Sequence, residues 1–125
     1  MNWYKEAKID QSQIKALEKS LMDRYPGLDL DLWISNVGYV ELAVIEVTEG
    51  KNQGVGHKVV EEVKQFAQSI GLPVVLRPSA SHGKKQALER FYKDLGFMHN
   101  RGKNIDHRYT SPISPTMYWK PEEQV

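Results

Sequence analysis

Three features of the sequence predict a mixed α/β domain. Leu28-Asp29-Leu30-Asp31-Leu32-Trp33-Ile34 alternates strictly, with aliphatics on one face and two carboxylates and an indole on the other, the pattern of a half-buried strand. Tyr39 to Thr48 is apolar on both faces around Ala43-Val44-Ile45, as expected of a strand inside a sheet. From Gly54 onward, helical and strand patterns alternate. Strands alternating with helices through the middle, with hairpins at both ends, predict a mixed central sheet with helices on both faces. At 125 residues and 40% hydrophobic composition the chain buries one core, so residues 1–125 are expected to form a single domain, with 121–125 a loose tail.

Taken in order, Asp10 and Gln13 have the spacing of a capping box, and Ile14, Leu17, Leu21 and Met22 recur at helical intervals until Pro26-Gly27 stops the helix. The strand at 28–34 and the strand at 39–48 flank a turn at Asn36 to Gly38 and are expected to pair as a hairpin. Val55, Val59, Val60, Val63, Phe66, Ala67 and Ile70 mark an amphipathic helix that Gly71 and Pro73 end. Pro73 to Arg77 reads as a short strand. Lys84 to Leu95 reads as a helix turning Ala87, Leu88, Phe91 and Leu95 inward, with Gly96 as its stop. Strands are expected at Phe97 to Arg101 and Thr116 to Lys120.

The absence of cysteine removes disulfides, thiolate metal sites and thiol nucleophiles together. No apolar run approaches the roughly 18 residues that span a bilayer, and Lys5, Glu6 and Lys8 stand where a signal peptide needs an apolar block. A soluble, cytoplasmic protein without a membrane partner is the expectation. Net charge is only +1, but residues 1–50 hold 5 Lys/Arg against 9 Asp/Glu, whereas residues 82–108 hold 7 against 3. The basic segment lacks aromatic residues spaced as a stacking platform, so it is expected to meet phosphates or an acidic partner and no nucleic acid.

The informative segment is Glu49-Gly50-Lys51-Asn52-Gln53-Gly54-Val55-Gly56-His57-Lys58, between a central strand and a long helix. The leading N–H groups of a helix have no internal partner and lie at the positive end of its dipole, and glycines let a bulky anion approach the main chain. A Walker loop needs Gly-Lys-Ser/Thr where this chain has Gly56-His57-Lys58, and the dinucleotide fingerprint needs glycine or alanine where it has Val59. Neither fits.

The remaining pattern, a strand, Lys51-x-x-Gly54-x-Gly56 and a helix, resembles the acetyl-CoA loop of the GCN5-related N-acetyltransferase superfamily. Arg90-Phe91-Tyr92-Lys93-Asp94-Leu95-Gly96-Phe97 is similar to the signature that closes that family's next helix. Leu76-x-Pro78-Ser79, Gly102-Lys103-Asn104-x-Asp106 and Thr116-Met117-Tyr118 look like small acetyltransferase-like proteins of phages and their bacterial hosts. The resemblance implies the acyl-CoA N-acyltransferase fold with a shortened N-terminal half, because Asp10 to Tyr25 leaves room for one helix where the family usually has two.

The resemblance further implies that the main-chain N–H groups of Gln53, Gly54, Val55, Gly56, His57 and Lys58 hold the pyrophosphate of acetyl-CoA. The pantetheine arm would lie along Ile45 to Val47, where this strand and Val74 to Arg77 splay apart. Lys51 stands where the family has Arg or Gln and keeps the charge beside the phosphates. Ser81 and Lys85 fall in the same cofactor neighbourhood, Lys85 near a position that is often Asn. Tyr92 matches the tyrosine that protonates the departing thiolate, and a phenol keeps its proton at neutral pH.

Two carboxylates are candidates for the general base. Glu46 interrupts the in-phase set Val40, Leu42, Val44, and a carboxylate buried there would be tuned toward deprotonating an ammonium. Glu41 is its rival. His57, His82, His99 and His107 have no metal-ligand spacing, so no metal is expected. Trp3, Trp33 and Trp119 read as packing residues. Asp29 and Asp31, if exposed near the cleft, would attract a cationic acceptor.

The reading is an acyltransferase, an N-acetyltransferase that passes the acetyl group of acetyl-CoA to a primary amine, on a small molecule or a protein, by direct attack. The shortened N-terminal half leaves the acceptor site either open or completed by a second copy in a homodimer. The alternative is a protein of the same fold that binds acetyl-CoA, or is catalytically silent, and acts through a protein partner. Whether Asn100 to Pro115 forms a lid is open at this level.

Overall fold

The computed structural model describes residues 11–47, 54–77, 85–110 and 116–122. Within these, helix α1 (Ser12–Arg24) leads into strands β1 (Leu28–Ile34) and β2 (Val40–Val47). Helix α2 (Val55–Ile70), strand β3 (Val74–Leu76), helix α3 (Lys85–Asp94) and strands β4 (Met98–His99) and β5 (Met117–Trp119) follow. Two 3-10 turns, Gly102–Asn104 and His107–Tyr109, lie between β4 and β5. The five strands form one mixed sheet in the order β1-β2-β3-β5-β4. The strands expected at 97–101 and 116–120 thus shorten to two and three residues.

β2 runs antiparallel to β1 and parallel to β3, while β5 runs antiparallel to both β3 and β4. β3 and β4 are therefore parallel. Both crossovers, β2-α2-β3 and β3-α3-β4, step the same way across the sheet between parallel strands, and right-handed connections place their helices on one face. One core contains Ile14 and Leu21 of α1, Val59, Val60, Val63 and Ala67 of α2, Tyr92 of α3, and the inward residues of every strand except β4. The expectation of helices on both faces is corrected for the described residues: the opposite face carries a smaller cluster of Val75, Tyr109 and Tyr118 with Tyr39 packed against it.

Local rules account for the elements with few exceptions. The Gly71 and Leu72 N–H groups bond back to Ala67 and close α2, Gly71 taking the left-handed conformation that glycine tolerates. The predicted capping box is replaced. The N-cap is Gln11, which makes no side-chain cap bond, and Asp10 lies outside the described residues. The Gln11 amide reaches the sheet instead: its Nε2 donates to the Ile34 carbonyl at 2.7 Å and its Oε1 accepts from the Ile34 N–H at 2.8 Å. Glu18 Oε1 accepts from the Leu32 N–H at 2.8 Å. Side chains of α1 thus satisfy the outer edge of β1, which would otherwise offer backbone groups to another strand. Ala87, expected inward, is exposed. No described helix is long and apolar enough to cross a membrane.

Asn100 ties the β4–β5 connection together. Its amide donates to the Asp106 carbonyl and to Thr116 Oγ1, both at 3.0 Å, and its Oδ1 accepts from the Asp106 N–H at 2.6 Å. Asp106, with 15% of its side chain exposed, receives Arg108 Nη2 at 2.7 Å, Arg108 Nε at 3.0 Å and Lys120 Nζ at 3.3 Å. Residues 100–110 are bonded into the domain, which is not the arrangement of a hinged lid; 111–115 lie outside the described residues.

Two expected outcomes follow from these contacts. Gln11→Ala strips both partners from the Ile34 backbone and should cost about 1–2 kcal/mol in urea unfolding. The Arg108 guanidinium holds the Asp106 carboxyl well below the usual carboxylate range. A depressed native pKa contributes stability that is fully present above the unfolded value of about 3.9 and is lost as pH falls below it. Asp106→Asn should therefore flatten the fall in melting temperature between about pH 4 and pH 2.

Candidate active site

The site begins with one extra residue in β2. Asp31 pairs with Val44 and Leu32 with Leu42, so Ala43 bulges out between them. A bulge shifts the alternation by one position. Before it, Val40 and Leu42 point into the helix-side core; after it, Ile45 does, in register with Leu30. Glu46 consequently pairs with Asp29 on the other face and is exposed. The expectation that Glu46 shares the phase of Val40, Leu42 and Val44 and is buried is corrected, because the alternation was counted through the bulge.

β2 and β3 pair over three positions only, Val40 with Val74, Glu41 with Val75 and Leu42 with Leu76. β3 ends there, and Arg77 after it is exposed. β2 continues through Val47 with β1 on one side and no described strand on the other. Pairing between β2 and β3 thus ends at the position before the bulge, and the residues that would continue β3 beyond Arg77 lie outside the described residues.

The open end of β2 feeds α2. Gly54 is its N-cap at φ 72°, a left-handed conformation that suits glycine, and a Cβ built there meets nothing within 4 Å. The first internal bond of the described helix runs from the Lys58 N–H to the Gly54 carbonyl at 3.1 Å. The N–H groups of Val55, Gly56 and His57 precede it and point out of the helix. Lys58 is corrected as a main-chain donor, since its N–H is spent inside the helix, although its exposed ammonium stands in the same turn. With no acidic residue in that turn and with His57 and Lys58 exposed, this end of α2 suits an anion. Lys51, Gln53 and Ser81 lie outside the described residues, as do the side chains of Val47 and Lys85; Lys85 is the first residue of α3.

Gly56 has a second role that its place in a glycine-rich loop hides. A Cβ there would stand 3.4 Å from Phe91 Cζ, so α2 and α3 meet at this position. Phe91 starts a row of edge-on rings: His57 to Phe91 at 5.9 Å, Phe91 to Tyr92 at 5.1 Å and Tyr92 to Phe97 at 5.6 Å. The row joins the first turn of α2 to Tyr92. Tyr92 is 3% exposed, and burial pushes its phenol up to about 12, so the hydroxyl keeps its proton at neutral pH.

Glu41 is half-buried, in register with Trp33 on β1 and Val75 on β3. Val75 belongs to the cluster on the face away from the helices, so Glu41 and Glu46 share that face while Tyr92 stands on the helix side. The structure therefore brings Tyr92 together with the α2 terminus and separates both carboxylates from it by the thickness of the sheet. Asp29 and Trp33 are exposed on the carboxylate face, and Asp31 is bound by Lys15 at 3.1 Å, whose ammonium lies 3.6 Å from the centre of the Trp33 ring. Trp33 is a surface residue, 44% exposed, and no packing residue as expected; Trp119 does pack against the core, and Trp3 lies outside the described residues. His99 faces Glu89 at 3.8 Å, and His82 lies outside the described residues. Among the described residues no three acidic or histidine side chains converge on a metal position.

The ring row makes α3 a support for the α2 terminus. Phe91→Ala should destabilise the domain by about 2–4 kcal/mol, because it empties the space between the helices. Gly56→Ala, whose methyl reaches Phe91 at contact distance, should change stability by less than about 1 kcal/mol. Urea unfolding of both variants measures this.

No protein-family model matches this chain, and no curated protein sequence matches it either. Among solved structures, the crystal structure of the anti-CRISPR protein AcrVA5 is similar, with a TM-score of 0.57 and 24% identity, over 75% of this chain and 90% of that one. At that identity the likeness is one of fold, a mixed α+β domain.

Proposed function

We propose that the chain is an acetyl-CoA-dependent N-acetyltransferase of the GCN5-related type, working in the cytoplasm. The observation that carries this reading is that β2 runs on past its three paired positions with β3, from a bulge to Val47, with the open first turn of α2 following the longer strand. That arrangement offers an extended ligand a strand edge along Ala43 to Val47 that no described strand pairs with and, at the start of α2, main-chain donors for a pyrophosphate. Gly54, with open space where a Cβ would stand, admits the phosphates closely. Exposed Lys58 adds charge beside them.

Acetyl-CoA supplies an activated acyl thioester. The residues around the opening divide the remaining work by face. On the helix side, Tyr92 holds a proton that burial keeps in place, ready for donation to the leaving sulfur. On the other side, Glu41, Glu46, Asp29 and Asp31 form an acidic approach for a primary ammonium, and Glu41, the least exposed carboxylate next to the paired part of β2, is the better placed base. The likeness to an anti-CRISPR protein is a likeness of fold and identifies no acceptor.

A second reading is supported by the exposure of Glu46 opposite Asp29, the position of a surface carboxylate. In it the chain binds acetyl-CoA and acts through a protein partner without turnover. Thiol release over a panel of amines separates the two readings.

The cofactor assignment is tested at Gly54. Gly54→Glu places a bulky like charge at the phosphate approach and should abolish acetyl-CoA binding in calorimetry, whereas Gly54→Asn, tolerated at positive φ, controls for backbone strain. Wild-type affinity in the folded Glu variant would remove the assignment. For the chemistry, Tyr92→Phe removes one oxygen from a packed ring. It should lower kcat about 100-fold while the acetyl-CoA dissociation constant moves less than about threefold. An unchanged kcat would return Tyr92 to the core.

A further inference from the structure

Away from the α2 terminus, at the β4 edge of the sheet, a cavity of about 640 Å³ opens between the end of α3 and the turn Gly102–Asn104. β4 lies three strand spacings from β2, roughly 14 Å at the usual separation. Lys93, Arg101 and Lys103 line it together with Phe97, Met98 and His99. Lys93, Arg101 and Lys103 form no ion pair among the described residues, although carboxylates are near in sequence. Asp106 is saturated by Arg108 and Lys120, Glu89 faces His99, and Asp94 forms no ion pair among the described residues.

The cations are presented by a built turn. The Asn104 N–H donates to the Arg101 carbonyl at 3.2 Å, Tyr118 Oη donates to the Asn104 carbonyl at 2.5 Å, and Asn100 clamps both ends of 100–106 through Asp106. Arg101 and Lys103 therefore extend from a backbone held to the core, so the loss of freedom on binding is confined to the side chains. The wall opposite is apolar, formed by buried Phe97 and by Met98, which is 42% exposed although it is a large hydrophobic residue.

We propose that this cavity is a second anion site, separate from the acetyl-CoA cleft, for a small molecule bearing a phosphoryl group on an apolar body. Three positively charged residues on one lining match a dianion. The planar fork of Arg101 suits two phosphoryl oxygens at once, and a cavity of this volume has the size of small-molecule sites. Of the two rings in its lining, Phe97 is 3% exposed and the His99 side chain 14% exposed, which offers a nucleic-acid base little face to stack on.

Phenyl phosphate and inorganic phosphate serve as probes, read by amide chemical shifts of the full chain. Phenyl phosphate should shift the amides of Met98 to Asn104 and bind there at least about fivefold more tightly than inorganic phosphate. The double variant Arg101→Gln/Lys103→Gln, and separately Lys93→Gln, should weaken that binding at least about tenfold, as expected for a lost charge-assisted contact. Shifts confined to Gly54 to His57, equal affinity for the two probes, or binding that survives the variants would overturn the proposal and leave the acetyl-CoA reading untouched. Micromolar retention of a DNA or RNA 20-mer at about 0.15 M salt that the same variants abolish would also overturn it, in favour of a nucleic-acid surface.

Discussion

The arrangement of the site depends on how a parallel pair of strands comes apart. β2 and β3 share three positions, and the residue after the last of them on β2, Ala43, is the bulge. An extra residue in one strand increases local twist and bends it. β2 goes on pairing with β1 as far as Val47, whereas β3 ends at Leu76. The same bulge reverses the phase of the strand. Ile45 turns to the core and Glu46 to solvent, so Glu46 joins Asp29 and Glu41 on the face away from the helices.

Handedness completes the asymmetry. Two crossovers in the same direction place α2 and α3 together on one face, and α1 joins them by lying along the outer edge of β1. The helix face therefore holds the core, the ring row and Tyr92. Among the described residues no helix covers the far face of β1 and β2, where Asp29, Trp33, Ala43 and Glu46 are exposed. Opposite chemical characters on the two sides of one opening arise from connectivity.

Charge follows the same division. Four carboxylates of the acidic first half lie on the far face of β1 and β2, where Asp31 is answered by Lys15, Glu41 is half-buried and Asp29 and Glu46 are exposed. The basic segment is only partly neutralised from within. Asp106 takes up Arg108 and Lys120, and its engagement leaves Arg101 and Lys103 unpaired among the described residues. Gly56 couples packing to charge at the third location. Phe91 lies at contact distance from where a Cβ of residue 56 would stand, so a small residue at the turn whose N–H groups face outward serves both helix packing and anion approach.

What the sequence alone determined is what depends on near neighbours. Alternation marked β1, a 3.6-residue period marked α2, Gly71 and Gly96 marked helix ends, and the glycine-rich junction marked the outward-facing turn of α2, because each signal lies within one element or at its end. Tertiary structure decided the rest. The phase of Glu46 turned on a bulge visible only in pairing with β1, the common face of the helices on the order of strands, and the partner of Gly56 on a ring thirty-five residues away. The role of Gln11 emerges only once Ile34 is beside it, and the absence of an ion pair at Arg101 and Lys103 among the described residues accompanies the binding of Asp106 by Arg108 and Lys120. Each of these requires knowing which distant residues meet, and local periodicity carries no information about contacts made across the sheet.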